Sequence, residues 1–383
     1  MNKKLKIIYF IGSIYKDGGH FHSLATLMTA LNNKADISVV SIGFNELYQF
    51  KDFKHYNVFW KGSNTISVLF KLIKHLKKEK PDVIHAYDYI TYLFAKICGD
   101  ILNIKTAMTK CGGPSKHYRY PIPDNLILFS HEDMNFYRNH PNYSKTKLYF
   151  MPNRVLPFET SEKIEKEVRE KIGADKKIVM RITRFSPFYK KSIEQTINLT
   201  KLLNDKYQNN YHCVLIGTVQ SEKEYEAAKN EGGNILTILK DKEFTDNAKK
   251  CLGAADIVVG TGRGLMEAAQ KEKILFVPSE VSEYPIPFCE KYFDKLFEMN
   301  FSTRNGINVK EDEVLKFIDN SEEIKSFIKE KYEKYFDINS ATYNYICIIS
   351  NMMPKRFFKF LYNVFLVARE SKNVFFHVYK KAK

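Results

Sequence analysis

The sequence predicts an α/β protein of two Rossmann-like, doubly wound domains facing each other across a cleft, followed by a C-terminal amphipathic helical tail. Three observations carry this. Apolar runs of strand length alternate with helical patterns, which is the signature of a parallel sheet with crossover helices. The alternation restarts behind a polar, proline-containing, charged stretch near residues 150–175. A chain of 383 residues is long for one core and comfortable for two.

In the first half, "KIIYFIG" (6–12) reads as a buried strand. "HSLATLMTALNN" (22–33) spaces Leu24, Leu27, Met28 and Leu31 as one face of a helix. "DISVVSI" (36–42) is a second strand. "SVLFKLIKHLKKEK" (67–80) is an amphipathic helix that Pro81 stops. "DVIHAY" (82–87), "KTAMTK" (105–110) and "NLILFS" (125–130) continue the strands. After "KLYFMPNRVLPF" (147–158) and the charged helical "SEKIEKEVREKIG", a second series follows. It comprises "KKIVMRIT" (176–183), "HCVLIGT" (212–218), "NILTIL" (234–239), "DIVVGTG" (256–262) and "KILFVPS" (273–279). The expected domains are 1–155 and 156–336. Residues 337–353 form a helix returning to the first domain, and 354–383 form the tail.

Composition narrows the function. At 44% hydrophobic and 14% aromatic the chain can build ordinary cores and is not disordered. The net charge of +16 attracts an anionic partner: nucleic acid, a phosphorylated ligand or an acidic membrane surface. Cys98, Cys111, Cys213, Cys251, Cys289 and Cys347 lack metal or redox spacing and read as reduced thiols of a cytoplasmic protein. No apolar run approaches the ~18 residues of a membrane span. The basic-then-apolar start resembles a signal peptide, but its short run ends in Lys16-Asp17 without a cleavage site, so a first strand is the better reading.

Ligands of doubly wound domains bind outside the carboxyl ends of the strands, here in the cleft between domains. Gly18-Gly19 precede a helix, where a glycine loop admits an anion or is a plain turn. His20 and His22 beside them either contact a phosphate or hydroxyl or are solvated. No GxGxxG is present. Gly112-Gly113-Pro114 end a strand among Lys110, Lys116, His117 and Arg119, either an anionic-acceptor site or a solvated loop. In the second domain Arg184 follows a strand, and Lys190 and Lys191 open the next helix. Cations oppose the dipole at a helix N-terminus; a diphosphate held there offsets that cost. In "ADIVVGTGRGLMEAAQ", Gly260, Gly262 and Gly264 expose backbone N–H groups. A helix from about Leu265 adds its positive end, with Glu267 in its first turn. That acid is either favourable helix chemistry or a ribose acceptor.

In the order and spacing of these residues, the chain resembles, over roughly residues 5–350, the retaining glycosyltransferases of the GT-B class, specifically glycosyltransferase family 4 (group 1). Gly18-Gly19 match its N-terminal glycine loop. "KPDVIHAYDYITYLFAK" looks like its "PDVIHAH" segment, and "YFMPNRV" is similar to its "VIPNGVD", with Arg154 at the glycine. "ITRFSPFYKKSI" is similar to "GRL…KG": Arg184 matches the arginine, and Lys191, or alternatively Lys190, the lysine. "VLIGT" is similar to the "LVGDG" turn at Gly217. Glu267 matches the second acid of the family's glutamate pair, which binds the donor ribose. Val259 stands at the first acid, and Thr261 and Arg263 occupy the intervening region. Lys110 and Cys111 stand where the family often has a histidine, for which His85 is a possible substitute that reads as structural.

The resemblance implies transfer of a sugar from a nucleotide-sugar, with retention, to a glycan or a polyprenyl- or other lipid-linked acceptor in bacterial cell-surface polysaccharide or glycolipid synthesis. Arg184 and Lys191 would stabilise the diphosphate leaving group without a metal or other cofactor. Gly217, Thr261, Gly262, Arg263, Gly264, Glu267 and Lys190 would complete the donor site. Gly18, Gly19, His20, Gly112 and Gly113 would serve the acceptor. The tail, "PKRFFKFLYNVFLVARESKNVFFHVYKKAK", interleaves basic residues and aromatics around the single acid Glu370. It reads as a helix on the anionic inner face of the membrane. A helix packed on the first domain is the competing reading, and it fits 337–352 better. The basic–aromatic mix has no accompanying nucleic-acid motif. Two further readings stand beside the transferase: a sugar-nucleotide epimerase of the same fold, and a non-catalytic membrane-associated adaptor.

Overall fold

The structure is a computed structural model and describes residues 4–14, 18–116, 118–173, 175–353 and 360–382. Its contacts divide the chain into two compact units: Met1–Asn153 together with Ile338–Lys383, and Arg154–Asp337.

The first unit runs β1 (Lys6–Ser13), α1 (Gly19–Leu31), β2 (Asp36–Gly43), β3 (His55–Phe59), α2 (Thr65–Glu79), β4 (Val83–Ala86), α3 (Tyr89–Leu102), β5 (Lys105–Lys110), β6 (Asn125–Leu128), α4 (His131–Asn139) and β7 (Lys147–Phe150). The strands form one parallel sheet, ordered β3-β2-β1-β4-β5-β6-β7. The central strands are buried on both faces, which is why they read as unbroken apolar runs. Edge strand β3 buries only Val58 and gives no such run. The "KLYFMPNRVLPF" stretch is a strand only over its first four residues. Side chains start the helices: Asp88 accepts from the Thr91 N–H at 2.8 Å and Ser130 from the Asp133 N–H at 3.1 Å. Lys80, at φ 49° before Pro81, ends α2.

The second unit contains α5 (Glu162–Ile172), β8 (Lys177–Phe185), α6 (Lys190–Lys206), β9 (Tyr211–Val219), α7 (Glu222–Gly232), β10 (Leu236–Leu239), α8 (Lys242–Thr245), β11 (Ile257–Val259), α9 (Gly262–Gln270), β12 (Ile274–Val277), β13 (Ile286–Pro287), α10 (Glu290–Glu298), α11 (Glu311–Asp319) and α12 (Ser321–Lys331). Its sheet is ordered β10-β9-β8-β11-β12-β13, all parallel except the two-residue edge strand β13. The unit's two ends meet: the Val155 N–H donates to Phe336 O at 2.8 Å, and Arg154 reaches Asp337 O at 3.2 Å. Gly217 lies inside β9 rather than at a turn. A Cβ there would stand 1.7 Å from Thr183 O, so close approach of β8 and β9 requires glycine.

Two helices close the chain on the first unit. α13 (Ile338–Ser350) packs on α1, and α14 (Phe360–Ala382) on α3. A buried polar network ties α13 to the sheet. Tyr345 Oη lies 2.8 Å from Tyr9 Oη and 2.7 Å from His85 Nδ1, and His85 Nε2 lies 2.7 Å from Thr109 Oγ1. Complete burial pushes the His85 pKa from 6.5 down to about 3. The unfolded chain therefore takes up a proton that the folded chain refuses between these values. Stability from neutral His85 is present above pH ~6.5 and is lost as pH falls towards 3, by up to ~1.4 kcal/mol per pH unit. Urea melts across this range should show His85→Gln with a shallower acid decline than the wild type; parallel declines contradict the assignment.

Candidate functional site

In the second unit the chain runs outward from β8 in both directions, so the strand order reverses between β8 and β11. Ligand sites of open α/β sheets lie at the carboxyl ends beside such a reversal. Arg184, half-buried, is the penultimate residue of β8. A short turn follows, and Lys190 and Lys191 are the first two residues of α6, both exposed. That helix start has no side-chain cap and no acid in its first turn. Lys190 Nζ stands 3.7 Å from Glu194, whereas no ion pair engages Lys191 among the described residues. A 17-residue helix thus presents its positive end with added cations, an arrangement that an anion stabilises.

Across the reversal, β11 ends at Val259, earlier than the expected 256–262, and α9 begins at Gly262 rather than about Leu265. Thr261 precedes it without capping through its side chain, and Gly262 takes φ 47°, which favours glycine. Beside Gly264 a Cβ would meet open space. The earlier start corrects the placement of Glu267: it is the sixth residue of α9, in the second turn. Its Oε1 accepts from Arg263 Nε at 2.9 Å, and both side chains are largely buried. Arg263 therefore holds the carboxylate in place.

Two cations escaped the sequence reading. Arg181, on β8 and fully buried, donates from Nη1 to Val259 O at 3.0 Å, bridging the strand reversal. Its Nε has no partner among the described residues, and burial lowers its pKa to about 10. The charge inside "KKIVMRIT" was the available signal. Half-buried Lys249 lies in the electrostatic field of Glu267 and Arg263, with its pKa lowered by burial; nothing in its local sequence marks it.

In the first unit the strand order reverses between β1 and β4. Asp88 joins them there, accepting from the Gly12 N–H at 2.7 Å while capping α3. Gly18 is the N-cap of α1, so Gly19 and His20 fall in the first turn rather than in a preceding loop. The His20 ring packs at a tilt against Phe21, with centroids 4.0 Å apart. Gly112 and Gly113 both take positive φ, at 116° and 75°. Lys110 shapes this loop from below. It donates to Gly112 O at 3.1 Å, Gly113 O at 2.8 Å and Asp133 Oδ2 at 2.9 Å, and Ser115 donates to Asp133 Oδ1 at 2.7 Å. Lys110 is buried and internally neutralised, which corrects its reading as a cation facing an anionic acceptor. Lys116 and Arg119 are exposed; His117 lies outside the described residues. His85 is fully buried in the network above and offers nothing to a ligand. Among the described residues no group of three or more His, Cys, Asp or Glu side chains is placed to hold a metal ion.

Solved structures share this architecture. A glycosyltransferase from Rickettsia africae aligns with a TM-score of 0.67 at 13% identity, covering 92% of this chain and 99% of its own. Anabaena HepE, solved with UDP, aligns at 0.64 and 13% identity, covering 90% and 100%; it has also been solved with UDP-glucose. WaaG, a glycosyltransferase involved in lipopolysaccharide biosynthesis, aligns at 0.55 and 11% identity, covering 90% and 100%. The chain has the GT-B fold of such enzymes. No family model matches it, and no curated protein matches it in sequence.

Proposed function

We propose that the protein is a glycosyltransferase that moves a sugar from a nucleotide-sugar to a glycan or lipid-linked acceptor with retention of anomeric configuration, in cell-surface polysaccharide or glycolipid synthesis. The observation that carries this is the cationic junction from β8 to α6: Arg184, Lys190 and Lys191 at the strand reversal, in a fold shared with solved glycosyltransferases. Arg184 and Lys191 bind the donor diphosphate and stabilise the charge that develops as it leaves. The backbone N–H groups from Gly262 to Gly264 share that charge, and buried Arg181 adds to the local positive potential. Arg263 orients Glu267 through Oε1, and Oε2 accepts from the donor ribose. The first unit, through Gly18, Gly19, His20 and the loop of Gly112 and Gly113, receives the acceptor. Its hydroxyl attacks the face that the leaving group vacates, the diphosphate oxygen takes its proton, and the nucleoside diphosphate departs. The cations of this chain carry the diphosphate charge in this scheme. HepE, solved with UDP, makes uridine diphosphate sugars the first donors to test.

Thermal-shift screening against a panel of sugar nucleotides tests the reading. A donor at 100 times its Kd should stabilise the fold by about 2.7 kcal/mol, and Glu267→Ala should weaken the effect. A panel in which no sugar nucleotide shifts the melting point contradicts it.

A further inference from the structure

The tail helix is docked, and what it leaves exposed continues onto a second helix. α14 buries Asn363, Leu366, Val367, Glu370 and Val374, the stripe that faces the first unit. Residues 354–359 of the tail lie outside the described residues. Gly62 marks the seam between α14 and the start of α2: a Cβ there would stand 2.1 Å from Ser371 O and 3.0 Å from Phe375 Cβ. Thr65, the first residue of α2, lies 2.7 Å through Oγ1 from Ser371 Oγ.

Beyond this seam both helices turn apolar side chains outward. On α2, Ile66 is 72% and Phe70 70% exposed; on α14, Leu361 is 81%, Phe365 57%, Phe376 49% and Phe375 44% exposed. Ile66 and Phe70 are four residues apart on one helix, and Leu361, Phe365 and Phe376 fall four and eleven residues apart on the other, so each helix has a single outward stripe. An apolar surface of this kind on a folded unit marks a partner. The charges beside it say which. Lys71, Lys74, Lys77 and Lys78 are exposed on α2. Lys372 is exposed on α14, its ammonium 6.0 Å from the centre of the Phe376 ring. Lysine is depleted from protein–protein interfaces, whereas aromatic and aliphatic side chains flanked by lysines suit the headgroup region of an anionic bilayer. Among the described residues no helix is long and apolar enough to cross a membrane.

We propose that α2 and α14 together form one membrane-seating surface. Ile66, Phe70, Leu361, Phe365, Phe375 and Phe376 enter the interfacial layer, and the neighbouring lysines meet anionic headgroups. The membrane contact is therefore carried by the folded first unit, with the tail as one half of it, and it does not depend on the glycosyl-transfer reading.

The test is co-sedimentation of the full chain with vesicles of phosphatidylcholine alone or mixed with phosphatidylglycerol. The wild type should bind the mixed vesicles and bind phosphatidylcholine weakly. Ile66→Asp/Phe70→Asp, with an unchanged melting curve, should lose at least ~10-fold in partitioning although the tail is intact. Phe375→Asp/Phe376→Asp should lose as much. If an Asp pair lowers the melting point, the corresponding Ser pair replaces it, with a smaller loss in the same direction. Wild-type-like binding by the α2 variant overturns the proposal, as does failure of the wild type to bind mixed vesicles. A lipid-free dimer that the α2 substitutions dissociate, with vesicle binding unchanged, assigns the surface to a second copy of the chain and also overturns it.

Discussion

Arg184→Ala is expected to lower sugar transfer by about 10²–10³-fold, the usual cost of removing one preorganised group that stabilises transition-state charge. The same substitution should remove most of the melting-point rise given by a sugar nucleotide, because in the proposed site the guanidinium contacts the diphosphate in the bound donor as well as the departing one. The protein should otherwise melt as the wild type does, since Arg184 stands at the end of β8 and is only half-buried. Arg184→Lys should recover part of the binding and little of the rate, because an ammonium lacks the paired donors of a guanidinium. Unimpaired transfer by Arg184→Ala would remove the residue from the proposed site. Steady-state kinetics with the donor varied separates the two effects.

Lys96→Met is expected to destabilise the first unit by about 3–5 kcal/mol. Lys96 is 1% exposed and holds two buried carboxylates, Asp100 at 2.7 Å and Asp124 at 2.9 Å. Methionine fills a similar volume but leaves both acids without their cation in a medium that solvates charge poorly. Against a whole-protein stability of roughly 5–15 kcal/mol, such a loss should be plain in a urea melt. Asp124→Asn should cost less, because Lys96 keeps Asp100. A loss below ~1 kcal/mol for Lys96→Met, the range of an exposed pair, would show that water reaches the cluster.

The strands that could be read directly were those buried on both faces, β1 and β6 among them, because burial leaves an apolar run. β3 and β13 could not, one being a half-exposed edge and the other only two residues long. Lys190 and Lys191 were legible as candidates because cations at a helix start contradict local helix chemistry, and Arg184 because it ends the preceding strand. Lys110 misled, because its partner Asp133 is 23 residues away and only the fold brings the two together. Glu267 was placed one turn early because glycines weaken the helix signal, although α9 already begins at Gly262. The tail was legible as a basic aromatic helix. A helix with apolar side chains on more than one face does not reveal which stripe the protein covers, so its docking on α3 and its seam with the start of α2 came from the structure.

The central claim is that this chain breaks the bond between a sugar and a nucleoside diphosphate and passes the sugar on. The direct measurement is proton NMR of the stabilising sugar nucleotide incubated with the protein and a membrane-derived glycolipid fraction. The account predicts release of nucleoside diphosphate together with a new glycosidic anomeric signal of the donor's own configuration, both lost in Arg184→Ala. A sugar nucleotide that is bound but unchanged, or that returns with an inverted ring centre and its diphosphate still attached, would contradict it.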